Sequence, residues 1–377
     1  MSVPVLELLV STRPGGGPEH VRTLARGLGA YGFLPIVGGP RDGAMFDAFA
    51  ADGFETVVAT TNALAPRTFV DLSRLVRARG IRLIHSHGKG AGLYGRLVAR
   101  ASGIPAIHSF HGIHFERYRG PARTLYLALE RVLARSTALV VNVSAAQQAE
   151  GLALRLYGAG QARVVPNGID VAALRAGAMT RDDARASLGV DTSAFVVGCA
   201  ARFDPVKGLD VLLGAVAAVD GVTLVLIGDG PDAARIAALA APLGARVIRP
   251  GEMSGAARLF RGFEVYAAAS SKEGMPLAVL EAMALGVPVV ASDIPAHREV
   301  LGPDYLALFT RTPEMFAAGL RRAVSDTEWR STLTAQGLAR MGNFDAARMV
   351  EAIAGLYREA LAGHRAGDRR VDIPVVG

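Results

Sequence analysis

The chain has 377 residues, more than one hydrophobic core ordinarily serves, so two domains are expected. Apolar residues make up 51%, which excludes a disordered chain, and no run approaches the roughly 18 apolar residues of a membrane span. A single cysteine, Cys199, excludes a disulfide framework and fits a reducing cytoplasm. The formal charge of +7 is unevenly placed: residues 1–170 carry 19 Lys+Arg against 11 Asp+Glu, whereas residues 171–377 carry 22 against 23. The basic first half suits an anionic surface or acceptor, although arginine can also reflect composition alone.

Short apolar or β-branched runs alternate with helix-like stretches. Strands are expected at 5–10, 34–37, 82–85, 106–108, 138–141 and 163–165, then at 195–199, 223–227, 246–248, 264–266 and 287–291. Such alternation predicts an α/β chain with parallel sheets covered on both faces, in two Rossmann-like halves. Parallel doubly wound sheets bind ligands at the carboxyl ends of their strands, so residues just after strands carry the most information.

The first apolar run contains Glu7 and leads into Pro14-Gly15-Gly16-Gly17, so it reads as a strand and not as a secretory signal. The three glycines, before a helix expected to begin near Glu19, let backbone N–H groups approach a phosphate or simply make a turn. Five of the eight histidines follow within thirty residues: His85, His87, His108, His111 and His114. This density invites a metal reading, but no cysteine or carboxylate stands at suitable spacing and no metal is expected. His85 and His87 share one face of a strand end, where satisfied polar residues are ordinary. A basic amphipathic helix is expected over 115–135, with Arg117, Arg119, Arg123, Arg131 and Arg135 among Tyr and Leu; it is either a solvated face or a seat on anionic lipid. Pro166-Asn167-Gly168 marks a chain reversal.

In the second half, Arg202 and Lys207 lie in a loop after a strand, where a planar guanidinium and a point charge can grip a diphosphate. Asp229 and Asp232 read as a turn and a helix start. In Ser270–Glu299 a helix is expected with Pro276 in its first turn and Gly286 as its stop. Its polar residue, Glu281, leaves an apolar face beside Leu277, Ala278, Ala284 and Leu285. Such a carboxylate is either paired internally or accepts hydroxyls from a ligand. Glu273 stands in the preceding loop, beside the free N–H groups of Gly274, Met275 and Leu277, so the corner suits a phosphate and sugar hydroxyls together. Further helices are expected at 313–324, 326–340 and 345–362, the last with Phe344, Met349, Ile353 and Leu356 as its apolar stripe.

The string Glu273-Gly-Met-Pro-Leu-x-x-x-Glu281-Ala-Met-Ala-x-Gly-x-Pro-Val-Val-Ala-Ser resembles the E-x7-E signature of the family 4 retaining glycosyltransferases, and the stretch His87-Gly-Lys-Gly-Ala-Gly-Leu-Tyr-Gly-Arg96 with the basic first half resembles those members that build bacterial surface polysaccharides and glycolipids on lipid carriers. The resemblance implies a GT-B fold: an acceptor domain over 1–168 completed by a helix at 345–363 that crosses back to it, and a donor domain over 169–344; the polar, basic stretch 364–377 is expected to be a flexible tail. The resemblance also implies that Glu273 faces the donor sugar, that Glu281 holds the ribose, and that Gly274, Met275, Pro276 and Leu277 line the donor site. Arg202 and Lys207 match the family's diphosphate loop, with Ala201 replacing the usual glycine before the arginine. Gly16 and Gly17 match its N-terminal glycine loop, and His111 matches the histidine of Phe-His-Gly, placed against the sugar. The implied catalytic group is therefore His111, Glu273, Arg202 and Lys207. The implied activity is transfer of a hexose or N-acetylhexosamine from a UDP- or GDP-sugar to a carbohydrate or lipid-linked acceptor, without cofactor, metal or nucleic acid. The expected location is the cytoplasm, with peripheral docking on anionic lipid at the inner membrane face as a hypothesis. A nucleotide-sugar epimerase of the same fold and a non-catalytic nucleotide-sugar-binding protein are the alternatives.

Overall fold

The computed structural model describes residues 2–113 and 118–368. His114, Arg117 and the tail beyond 368 lie outside the described residues. The first parallel sheet is built from β1 (Val3–Leu9), β2 (Phe33–Gly39), β3 (Glu55–Val58), β4 (Leu83–His87), β5 (Ala106–Ser109), β6 (Leu139–Asn142) and β7 (Ala162–Val164), in the order 3-2-1-4-5-6-7. The second is built from β8 (Phe195–Ala200), β9 (Val222–Ile227), β10 (Val247–Gly251), β11 (Val265–Ala268), β12 (Val289–Ser292) and β13 (Leu308–Phe309), in the order 10-9-8-11-12-13. Every strand pair in both sheets is parallel.

All eleven expected strands are present. The two additions, β3 and β13, are both edge strands. An edge strand needs no continuous apolar run, because one side of it is not covered by a neighbour; β3 has no fully buried residue and β13 is two residues long. In each sheet the order reverses beside the first strand, so the carboxyl ends of β1 and β4, and of β8 and β11, mark the binding positions of such folds.

The chain divides into two compact units. The first takes in the described residues up to Arg13, then Gly17 to Gly168, and the helix from Ala346 onward; the second takes in Pro14–Gly16 and Ile169–Asp345. In the first unit the helix Ala346–Asp368 buries Met349, Ile353, Leu356 and Tyr357 against Val5, Leu83 and Ile107 of the sheet. Burying each such side chain contributes about 1.5–3 kcal/mol. This helix does not give way to a tail at His364, as the sequence suggested. The helix continues to Asp368, and His364 donates from Nε2 to the Gly103 carbonyl at 2.8 Å.

Two other helix starts differ from expectation. The helix Gly16–Leu28 begins at Gly16, not near Glu19, because Pro18 falls in the first turn, where its missing N–H has no helical partner to lose. The basic helix begins only at Pro121, after Gly120 turns at φ +53°, so Tyr118 and Arg119 precede it. Among the described residues, no helix is long and apolar enough to cross a membrane.

Candidate active site

In the second unit the residues picked from the sequence converge at the carboxyl ends of β8 and β11. Arg202 leaves the end of β8 and is gripped through Nη2 by Asp204 at 2.6 Å. Asp204 is itself buried and accepts the Val206 N–H at 3.3 Å, capping the turn Pro205–Lys207. Gly208 ends that turn at φ +65°, and a Cβ there would stand 2.1 Å from the Ala269 carbonyl oxygen, so glycine alone permits the two loops to touch. Ser271 N–H donates to the Val206 carbonyl at 2.8 Å and ties the loops again.

This contact brings Lys207 to Glu273: Nζ donates to Oε1 at 2.6 Å, and the Ser270 hydroxyl donates to the same oxygen at 2.6 Å. Burial alone would raise the Glu273 pKa, but the Lys207 ammonium and the Ser270 hydroxyl outweigh it and hold the carboxyl below its ordinary value. Glu273 is therefore an acceptor with an anchored geometry. Ser270 is fixed in turn, its carbonyl accepting the Ser292 hydroxyl at 2.5 Å. Behind them lies His297, which the sequence reading did not single out. Its Nδ1 stands 2.8 Å from the Ser292 carbonyl, burial holds its pKa below the ordinary value, and its buried Nε2 has no partner among the described residues.

The helix expected after Glu273 runs from Leu277 to Ala284, with Pro276 at its N-cap and Gly286 just beyond it at φ +75°. Val279, Leu280, Ala282 and Met283 are buried; Leu277, Ala278, Glu281 and Leu285 are half-buried. Glu281 thus stands on the partly open face of the helix and not on its core-facing one, whereas the apolar residues beside it suggested a buried position. Gly274, Met275 and Pro276 are buried in the turn that leads into the helix. Tyr266 of β11 senses both glutamates: burial above all, with Glu281 and Glu273 adding, pushes its phenol well above the ordinary value. Beside them the Cys199 thiol is buried and pushed up to about 12, chiefly by burial, so it stays protonated. Asp229 accepts the Gly230 N–H at 2.8 Å, and Asp232, at the N-cap of Ala233–Ala240, pairs with Arg235 at 2.7 Å.

The first unit holds a second constellation at the ends of β1, β4 and β5. His87 places Nε2 at 2.9 Å from Glu7 Oε2 and Nδ1 at 2.9 Å from His111 Nε2. His111 is half-buried and sits at φ +51°, a backbone region that side chains other than glycine rarely enter. Tyr357 donates its hydroxyl to Glu7 Oε1 at 2.5 Å and stands 2.7 Å from His85 Nδ1, while His85 Nε2 meets Ser109 Oγ at 2.8 Å. His20 packs its ring on His111 at 4.7 Å between centroids and bonds Asn167 through Nδ1 at 2.9 Å. Burial holds all of these histidines neutral, His20 and His87 at about 3, and raises Glu7 to about 8 against the lowering effect of Tyr357.

The carboxylate missing from the local histidine spacing is thus supplied from strand β1. Ring nitrogens of His20, His87 and His111, one from each, lie within 4.8 Å of one another, as do ligand atoms of Glu7, His85 and His87. However, the 2.9 Å between His87 Nδ1 and His111 Nε2 is a hydrogen bond; two nitrogens on one tetrahedral zinc stand about 3.3 Å apart. As built, the group is a hydrogen-bonded chain. Gly15, Gly16 and Gly17 all avoid the left-handed region, and a Cβ at Gly15 or Gly17 would meet no described residue within 4 Å. Backbone strain therefore does not account for glycine there.

Comparison with known proteins decides the family. Residues 14–173 match the model of Glycosyltransferase Family 4, and residues 194–326 match that of Glycosyl transferases group 1. The D-inositol 3-phosphate glycosyltransferase of Saccharomonospora viridis is 32% identical over 311 residues, 75% of this chain and 71% of that protein. The chain belongs to the family 4 glycosyltransferases. The D-inositol 3-phosphate glycosyltransferase 1 of Catenulispora acidiphila is 30% identical over 77% of this chain and 75% of its own length. Among solved structures, Anabaena Alr3699/HepE in complex with UDP and glucose superposes with a TM-score of 0.83 at 23% identity, covering 95% of this chain and all of that one. Sucrose-phosphate synthase from Thermosynechococcus elongatus gives 0.80 at 22% identity, over 96% and 100%. The fold of this glycosyltransferase is accordingly GT-B. These two sequence relatives carry inositol-phosphate names and not the surface-polysaccharide names that the stretch 87–96 and the basic first half suggested.

Proposed function

We propose that this glycosyltransferase takes a nucleoside diphosphate sugar, UDP- or GDP-linked, and transfers its hexose or N-acetylhexosamine with retention. The Lys207–Glu273–Ser270 corner carries this reading: an ammonium and an anchored carboxylate side by side at the entry to a helix. In the reaction Arg202 and Lys207 neutralise the charge that builds on the departing diphosphate. Glu273, kept ionised, accepts sugar hydroxyls, His111 positions the sugar, and Glu281 accepts from the ribose. The glycine run Gly15–Gly17, which steric need does not explain, leaves room for phosphate at the helix N-terminus. Same-face attack through an oxocarbenium-like state accounts for retention without assigning Glu273 as a covalent nucleophile.

For the acceptor we propose an anionic polyol, in line with the inositol-phosphate names of the relatives and the basic first half of the chain. The lipid-linked acceptor expected from the sequence is the second reading, favoured by one observation. Leu125, Leu129 and Val132 form an exposed stripe along Pro121–Ala134, 72%, 40% and 54% accessible. Flotation with anionic vesicles separates the two: binding that is lost in Leu125→Glu and Arg123→Glu supports the lipid, and no binding by the wild type removes it.

Thermal-shift titration with UDP, GDP and ADP, followed by product analysis with inositol phosphate, tests the main reading. Stabilisation by UDP or GDP and a retained glycoside are expected. Release of an isomerised sugar from donor alone would point to an epimerase, and donor binding without turnover for any acceptor to a binding protein.

A further inference from the structure

We infer that Glu7, His87 and Tyr357 are positioning residues that decide which ring nitrogen of His111 carries its proton, and hence whether Nδ1 offers a ligand an acceptor or a donor. This rests on the role proposed for His111. A neutral imidazole has one N–H, so each member of the chain fixes the next. If Glu7 is ionised it can only accept; His87 then carries its proton on Nε2, receives the His111 Nε2–H at its bare Nδ1, and leaves His111 Nδ1 as an acceptor. If Glu7 is protonated it donates to His87 Nε2; His87 donates from Nδ1 to His111 Nε2, and the His111 proton moves to Nδ1. One proton at Glu7 is thus read out two side chains away.

Tyr357 makes the chain directional. Its hydroxyl proton is committed to Glu7 Oε1, so the carboxyl proton, when present, belongs on Oε2, the oxygen facing His87. The Tyr357 oxygen then accepts from His85 Nδ1, and His85 Nε2 accepts from Ser109. The other titratable groups around the chain are neutral histidines: His20 from the helix Gly16–Leu28, His85 from β4 and His108 from β5. No described lysine or arginine pairs with Glu7, whose polar partners are His85, His87 and Tyr357. With the histidines held neutral, Glu7 titrates alone near pH 8. No described residue bonds His111 Nδ1, which is left to a ligand.

The test is the ring ¹⁵N spectrum of His111 in the full chain without substrate, assigned by its loss in His111→Asn and followed from about pH 6 to pH 10. In the wild type Nδ1 should pass from protonated to bare, with a midpoint near 8. Glu7→Gln should abolish the step, and Tyr357→Phe should move it to higher pH, because the lost bond is one that lowers the Glu7 pKa. A single tautomer across the range, or the same step in Glu7→Gln, overturns the inference. So does a spectrum of dialysed protein that changes on adding stoichiometric Zn²⁺ and reverts with chelator, since these nitrogens would then be metal ligands. The ring signal needs neither donor nor acceptor, so its outcome is separate from that of the proposed reaction.

Discussion

The two constellations reach a similar degree of order by opposite routes. In the second unit the key carboxylate, the N–H groups and the second glutamate come from one contiguous string, Glu273 to Glu281, and a single loop contact adds Lys207. In the first unit the members of the chain come from β1, β4, the loop after β5 and the last helix, and Tyr357 stands 350 residues from Glu7. A motif carried on one loop and helix needs only local folding to present its groups. A network gathered from distant segments depends on the whole sheet and its closing helix, and is correspondingly sensitive to changes far from any ligand.

Breaking the local site should hurt chemistry most. Lys207→Ala removes the partner of Glu273 and half of the diphosphate clamp, and should lower kcat by about 10²-fold or more with the melting temperature little changed. Unchanged turnover would discard the clamp. Glu281→Ala should act on binding instead, weakening nucleotide affinity by about 1–3 kcal/mol, roughly 5- to 150-fold in Kd by calorimetry. An equal loss in kcat would place Glu281 with the reacting atoms.

Perturbing the distributed network should appear in stability. Glu7 is raised from 4.5 to about 8 in the folded state, so the folded chain holds a proton there that the unfolded chain has released. Stability therefore falls as pH rises through that window and is level above it. Denaturant titrations should show a loss with rising pH that is smaller in Glu7→Gln; parallel curves would mean that Glu7 is not protonated when folded. The smallest effect is expected at the Arg163–Glu359 pair, whose members are 33% and 47% exposed. Glu359→Ala should cost less than about 1 kcal/mol, which gauges what an ordinary surface contact to the last helix contributes.

Much of the fold was legible in the residues. Every strand with a continuous apolar run was found, because burial on both faces writes itself into the sequence; β3 and β13 were not, because an edge needs less. The helix Leu277–Ala284 was legible from Pro276 and Gly286, but which of its faces is open was not, since that depends on what packs against it. The histidines were noticed for their density, yet their carboxylate, Glu7, lies in a strand whose pattern suggested only a core.

By itself the sequence determined two parallel sheets, the family string and the cations after β8, because periodicity and spacing along the chain encode local geometry. The tertiary structure alone decided that Lys207 meets Glu273, that His297 lies behind it, that Tyr357, Glu7 and His87 form a chain ending at His111, and that His20 packs on it. Those partners are set by strand order and by the docking of the last helix, and separation along the chain carries no information about either.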